Sequence, residues 1–161
     1  MRPRKILKTY DSIDDHLAVA REFDRAAIPM GMYLAWALNL GLVNSQVLAD
    51  HEQLVMRVRI QDAKGSEFLM AFGGVLNEAL FNDRGRRFTQ NYYSRYMEDY
   101  SSIFEQDPYL VEDTWTNYDR IARFLTKELM GGPGSIGRAL SQIRKGSTGL
   151  VNFWKSIWRS G

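Results

Sequence analysis

Ala26-Ala27-Ile28-Pro29-Met30-Gly31-Met32-Tyr33-Leu34-Ala35-Trp36-Ala37-Leu38-Asn39-Leu40-Gly41-Leu42-Val43 is apolar over almost its whole length and carries no charge. Such a stretch is either a membrane span or the central helix of a packed core. Pro29 suits the first turn of a helix, where a missing N–H costs nothing, and Gly41 suits the residue after its end. That leaves about 12 helical residues, roughly 18 Å, against a hydrocarbon core of roughly 30 Å. A buried central helix is the better reading, with Trp36 near its middle.

Upstream, Ser12-Ile13-Asp14-Asp15 has the form of a capping box and predicts a helix over 12–25, with Ile13, Leu17, Ala20 and Phe23 inward. Downstream, Ser45 is a candidate cap for a helix whose Val47, Leu48, His51, Leu54, Val55 and Val58 follow a 3.6-residue period and whose outer face carries Asp50, Glu52, Arg57 and Arg59. Between Gly65 and Gly73-Gly74, the piece Phe68-Leu69-Met70-Ala71-Phe72 is too short for periodicity to assign to helix or strand. Asn82-Asp83-Arg84-Gly85 reads as a turn, and Phe88, Tyr92, Tyr96 and Tyr100 then predict a long aromatic helix over 86–105. Asp107-Pro108 breaks it. Tyr109-Leu110-Val111 is expected extended, before Asp113 or Thr114 caps a last core helix through Trp115, Tyr118, Ile121, Ala122, Leu125 and Leu129. The expected fold is all-α or mainly α, a compact multi-helix bundle with room for a short strand or hairpin near 55–76.

Two domains of unequal weight follow. Residues 1–130 form the helical core, and 131–161 form a glycine-rich joint with a basic amphipathic helical tail containing Leu150, Val151, Phe153, Trp154, Ile157 and Trp158. The formal charge of +2 conceals the difference, since all 19 acids precede residue 131 while Arg138, Arg144, Lys145, Lys155 and Arg159 follow it without one acid.

Several chemistries are disfavoured. With no cysteine, thiolate metal sites, disulfides and cysteine nucleophiles are absent. The basic start Met1-Arg2-Pro3-Arg4-Lys5-Ile6-Leu7-Lys8 lacks the apolar run of an export signal, so a cytoplasmic location is expected. Gly132-Pro133-Gly134-Ser135-Ile136-Gly137 matches G-x-G-x-x-G, but a helix rather than a strand precedes it, and a flexible joint is the plainer reading. His16 and His51 are too few for a metal site, and no serine sits in a nucleophile motif. No catalytic, metal-binding or cofactor-binding residue is therefore assigned, and no cofactor is implied.

The distinctive local feature is Glu98 to Asp119, where Glu98, Asp99, Glu105, Asp107, Glu112, Asp113 and Asp119 occur without a Lys or Arg and alternate with Tyr100, Phe104, Tyr109, Trp115 and Tyr118. Aromatic anchors ringed by carboxylates suit recognition of a basic protein surface. Glu98, Asp99, Tyr100, Glu105, Asp107, Tyr109, Glu112, Asp113, Tyr118 and Asp119 are the candidate partner-binding residues. In the plainer reading the aromatics are core and the acids are caps and a solvated face; both readings stay open.

Gly31-Met32-Tyr33-Leu34-Ala35-Trp36-Ala37, Asn91-Tyr92-Tyr93-Ser94-Arg95-Tyr96-Met97-Glu98-Asp99-Tyr100 and Val111-Glu112-Asp113-Thr114-Trp115-Thr116-Asn117-Tyr118-Asp119 together resemble an uncharacterised family of small bacterial cytoplasmic proteins over approximately residues 10–130. Such proteins resemble immunity-type partners encoded beside secreted antibacterial toxins. The resemblance implies a non-catalytic, immunity or antitoxin-like module that occludes a basic toxin or effector domain, with no nucleic-acid partner. Two other readings compete with it. One is a peripheral membrane or nucleic-acid adaptor acting through the basic tail, and the other is an enzyme with a carboxylate site.

Overall fold

Eight α-helices and one two-stranded sheet occur among residues 5–131, the part of the chain that the computed structural model describes. In order they are β1 (Thr9–Ser12), α1 (Ile13–Ala20), α2 (Phe23–Asn39), α3 (Ser45–Asp50), α4 (Glu52–Arg59), α5 (Gly65–Met70), β2 (Val75–Asn77), α6 (Asp83–Tyr92), α7 (Tyr96–Phe104) and α8 (Trp115–Leu129). Three 3₁₀ turns lie at Glu78–Leu80, Tyr93–Arg95 and Pro108–Leu110. The fold is thus mainly helical. The chain divides into two units, 1–123 and 124–161, and of the second only 124–131 are described. The G-x-G-x-x-G match and the basic amphipathic tail lie outside the described residues.

The apolar stretch forms a helix, as expected, but Pro29 does not start it. Glu22 is extended and α2 begins at Phe23, leaving Pro29 inside the helix. The bond to the Arg25 carbonyl is lost there, because proline has no N–H to donate; the Pro29 carbonyl itself accepts from Tyr96 Oη at 2.7 Å. Met30 through Leu38 are all buried, and Trp36 has no exposed surface. No helix among the described residues is long and apolar enough to cross a membrane.

The helix expected over 12–25 is two helices, because Arg21 adopts a left-handed conformation with φ 65° and stops α1. The break resets the helical phase, so Phe23, expected inward, is 57% exposed. Ser12 does cap α1, accepting from the Asp15 amide. A similar break at His51 separates α3 from α4, and Asn44 rather than Ser45 is the cap, with Oδ1 accepting from Gln46 N at 2.8 Å. Asp50, Glu52, Arg57 and Arg59 are exposed, as the period required. Asn82-Asp83-Arg84-Gly85 is a helix start instead of a turn: Asn82 Oδ1 accepts from Gly85 N at 2.9 Å. The long helix expected over 86–105 is interrupted by the 3₁₀ turn at Tyr93–Arg95.

The ambiguous piece around Phe68 is helical. α5 crosses α2 so closely that a Cβ on Gly65 would overlap the Gly31 backbone, which is why neither position carries a side chain. Around α2 the core is aromatic, with Tyr33 edge-on to Tyr93 and Tyr96 at 4.9 and 5.0 Å between ring centres. The strand in the region expected to hold one is β2, and it pairs antiparallel with β1 rather than forming a local hairpin. Thr9 faces Asn77 and Asp11 faces Leu76, so Tyr10 is an extra residue in β1. Such an irregularity re-aims the side chains beside it, and Asp11 is one of them.

Candidate partner-binding surface

The acidic segment occupies α7, the 3₁₀ turn at Pro108–Leu110 and the start of α8. Glu98, Glu105, Asp107, Glu112 and Asp119 are exposed. Two of them have local work: Glu105 is the left-handed residue that ends α7, and Asp107 Oδ1 accepts from Tyr109 N at 2.9 Å. Asp99 and Asp113 face inward instead. Asp99 Oδ2 accepts from Tyr92 Oη at 2.9 Å, and Asp113 Oδ2 accepts from Ser66 Oγ at 2.5 Å. Burial pushes the Asp113 carboxyl above its ordinary range, against the opposing pull of the Ser66 hydrogen bond and nearby Lys64. The cap of α8 is accordingly Thr114, whose hydroxyl accepts from Asn117 N at 3.2 Å.

Ion pairs among the described residues join Lys5 to Glu78, His16 to Asp11, Arg25 to Glu22, Arg57 to Asp62 and Glu67, and Arg86 to Asp83. None uses an acid from 98–119. The aromatic half of the expectation needs correction. Tyr100 has no exposed surface; it packs on Tyr96 and Phe104, and its hydroxyl donates to Met32 Sδ at 3.7 Å. Tyr118 is 8% exposed and its hydroxyl accepts from Asn39 Nδ2 at 2.7 Å. Both are core residues, because the helical period that lines up tyrosines also turns them toward α2.

The ten candidates therefore do not converge on one site. Asp107 and Tyr109 share an open groove of about 540 Å³ with Val19, Ala20, Arg21, Glu22, Arg25 and Leu110. Val19 and Leu110 are 66% and 58% exposed, so the groove has an apolar wall. Asp113 borders a second groove of about 300 Å³, with Asp24, Glu67, Ser66, Ile28 and Met70. Glu98, Asp99, Glu105, Glu112 and Asp119 line neither.

One polar cluster escaped the sequence entirely. Nε2 of His16 lies 2.7 Å from Asp11 Oδ1, and its Nδ1 lies 2.5 Å from Tyr109 Oη. Asp11 also accepts from Ser12 N at 2.9 Å and from Tyr93 Oη at 2.7 Å. The Asp11 hydrogen bond is the main reason that the His16 pKa is raised, with burial opposing it. Tyr109 is separated from His16 by 93 positions, and Asp11 from His16 by five across a strand–helix junction. No spacing rule connects them. The other histidine, His51, lies edge-on to Phe72 at 4.8 Å. Among the described residues no group of three or more His, Asp or Glu side chains is placed to hold a metal ion.

The fold and surface define a mainly helical domain with acidic, groove-bearing edges. The chain belongs to the family described as Domain of unknown function (DUF7832), whose model matches residues 9–112. That span contains the Asp11–His16–Tyr93–Tyr109 cluster and the complete lining of the larger groove. No curated protein and no solved structure matches the chain.

Proposed function

We propose that this chain is a bacterial, cytoplasmic, immunity or antitoxin-like protein that works by occluding a basic toxin or effector domain. The observation that supports the reading is the unpaired state of its acidic segment. Glu98, Glu105, Asp107, Glu112 and Asp119 are exposed, lie in a stretch without Lys or Arg, and make no ion pair among the described residues. Carboxylates held this way contribute little to folding, whereas their summed field steers a cationic partner and raises its association rate. Exposed Leu110 and half-buried Tyr109 beside Asp107 add the apolar contact area that charge alone does not supply.

The test is association of the full chain with the product of the adjacent gene. The complex is expected to form rapidly at low salt and to weaken as the Debye length falls from about 10 Å to about 3 Å. Failure to associate, or an association rate indifferent to salt, overturns the reading.

A further inference from the structure

Tyr109 differs from every other tyrosine of this chain. Tyr33, Tyr92, Tyr93, Tyr96, Tyr100 and Tyr118 are buried, leaving Tyr10 and Tyr109 partly open to solvent. Among the contacts of the described residues, Tyr109 is the tyrosine with a histidine nitrogen against its hydroxyl. Behind that histidine stands a carboxylate fixed by Ser12 N and Tyr93 Oη. Because Asp11 accepts at Nε2, a neutral His16 carries its hydrogen there and presents a bare Nδ1 to the phenol. A hydroxyl, a base and a group that orients the base form the arrangement that activates a side-chain nucleophile. The His16 and Asp11 side chains are only 15% and 10% exposed, so the base is shielded, while Tyr109 is one of the residues that line the larger groove.

One cation of the groove is left without an ion pair. Glu22 holds Arg25 at 3.1 Å, and Asp107, which keeps its charge, accepts from the Tyr109 amide. Arg21, which also lines the groove, makes no ion pair among the described residues.

We propose that Tyr109 is a phosphoryl-acceptor site, at which the anionic phosphoryl group of an activated phosphate ester or anhydride lies against Arg21 and is attacked by Tyr109 Oη. The Oη–P bond forms as the bond from phosphorus to the leaving oxygen breaks with its electron pair. The phenol proton passes to His16 Nδ1 and from there to solvent, while the leaving oxygen departs as the anion and takes its proton from water. The products are phosphotyrosine and the donor's alcohol or acid, with no change in oxidation state. The modification adds about −1.5 to −2 charges beside Asp107, deepening the acidic character of this edge.

The groups facing His16 are Asp11 on β1, Asp15 on its own helix and Tyr109 on the 3₁₀ turn. Transfer therefore depends on unprotonated His16. Its rate should rise with pH as His16, held above its ordinary pKa by Asp11, loses its proton, and should then level off.

The probe is 2,4-dinitrophenyl phosphate, incubated with the full chain and followed by peptide mass spectrometry at Tyr109 and Tyr10. Phosphorylation at Tyr109 is expected to be about 100-fold faster than at Tyr10, at the low end of what a positioned general base supplies. His16→Gln should bring Tyr109 down to the Tyr10 rate and replace the plateau with a rate that follows phenol ionisation. Asp11→Asn should slow transfer by releasing the His16 tautomer, and Arg21→Ala should weaken its dependence on probe concentration. Tyr10, modified in the same sample, gives the background rate, and a melting curve of each variant shows that it remains folded. A Tyr109 rate equal to that of Tyr10 in the unsubstituted protein overturns the proposal without recourse to any variant, as does a Tyr109 rate unchanged by His16→Gln.

Discussion

At the scale of single residues, three positions separate packing from electrostatics. Trp36 is fully buried and meets Tyr33 and Phe88, with ring centres 5.4 Å away in each case. Truncating it to alanine leaves an aromatic-sized hole in the middle of α2, so Trp36→Ala should cost about 3–5 kcal/mol, measurable by urea denaturation. Gly65 poses the opposite problem. Its added Cβ would meet the Gly31 carbonyl, a backbone atom with no rotamer to escape into, so Gly65→Ala should force α2 and α5 apart and lower the melting temperature sharply. A Gly65→Ala protein that melts with the parent would show that the two helices do not cross this closely. Asp113 is subtler, because its carboxylate is half-buried and its pKa is raised by that burial. A folded pKa above the unfolded one means that the charged form destabilises the native state, fully so above the folded pKa. Asp113→Asn keeps an acceptor for Ser66 and removes the charge, so it should raise stability at neutral pH. The gain should fade as pH falls through the raised pKa toward the ordinary 3.8. Melting curves across that range check the sign.

At the scale of elements, hydrophobic pattern decides where helices form but not where they break. The apolar run from Ala26 forms a helix because nothing in it needs water, and α8 follows its inward stripe from Thr114 onward. What the sequence hid are the breaks. Arg21 takes a left-handed conformation that residue type does not announce, a 3₁₀ turn at Tyr93–Arg95 interrupts the aromatic helix, and Pro29 sits inside a helix and not at its start. Periodicity lines up Tyr92, Tyr96 and Tyr100 but cannot tell an aromatic stripe on a core from one on a surface, and Tyr100 lies in the core while Tyr109 lines a groove. The His16 cluster depends on the pairing of β1 with β2 and on the 3₁₀ turn, both long-range. It ties β1, α1 and that turn together, and the tie has a pH dependence. His16 has a raised folded pKa, so its contribution is complete below the ordinary value of 6.5 and is lost as pH rises through the folded value. The stability gap between the parent and His16→Gln should therefore be widest below 6.5 and narrow above the folded pKa. A gap that widens with rising pH would show that His16 is neutral in the native protein throughout.

For the molecule as a whole, charge and folding are separable. The core is held by α2 and the aromatics around it, and the exposed acids of the 98–119 segment contribute to neither. Glu105, Glu112 and Asp119 make no ion pair and no side-chain hydrogen bond among the described residues, unlike Asp99, Asp107 and Asp113, whose carboxylates are each engaged locally. Of the three, Glu105 keeps its left-handed backbone whatever its charge, a conformation lysine tolerates about as well as glutamate does. Reversing all three to lysine changes the formal charge by six units at exposed sites, where each charge is worth roughly 0–1 kcal/mol to folding. The triple variant should thus melt close to the parent while its association with a basic partner slows. The slowing should shrink as salt is added, because screening removes the steering that the substitutions reversed. A folded triple variant whose association rate matches that of the parent at low salt would move the binding face elsewhere. One whose melting temperature collapses would instead show that these carboxylates serve the fold.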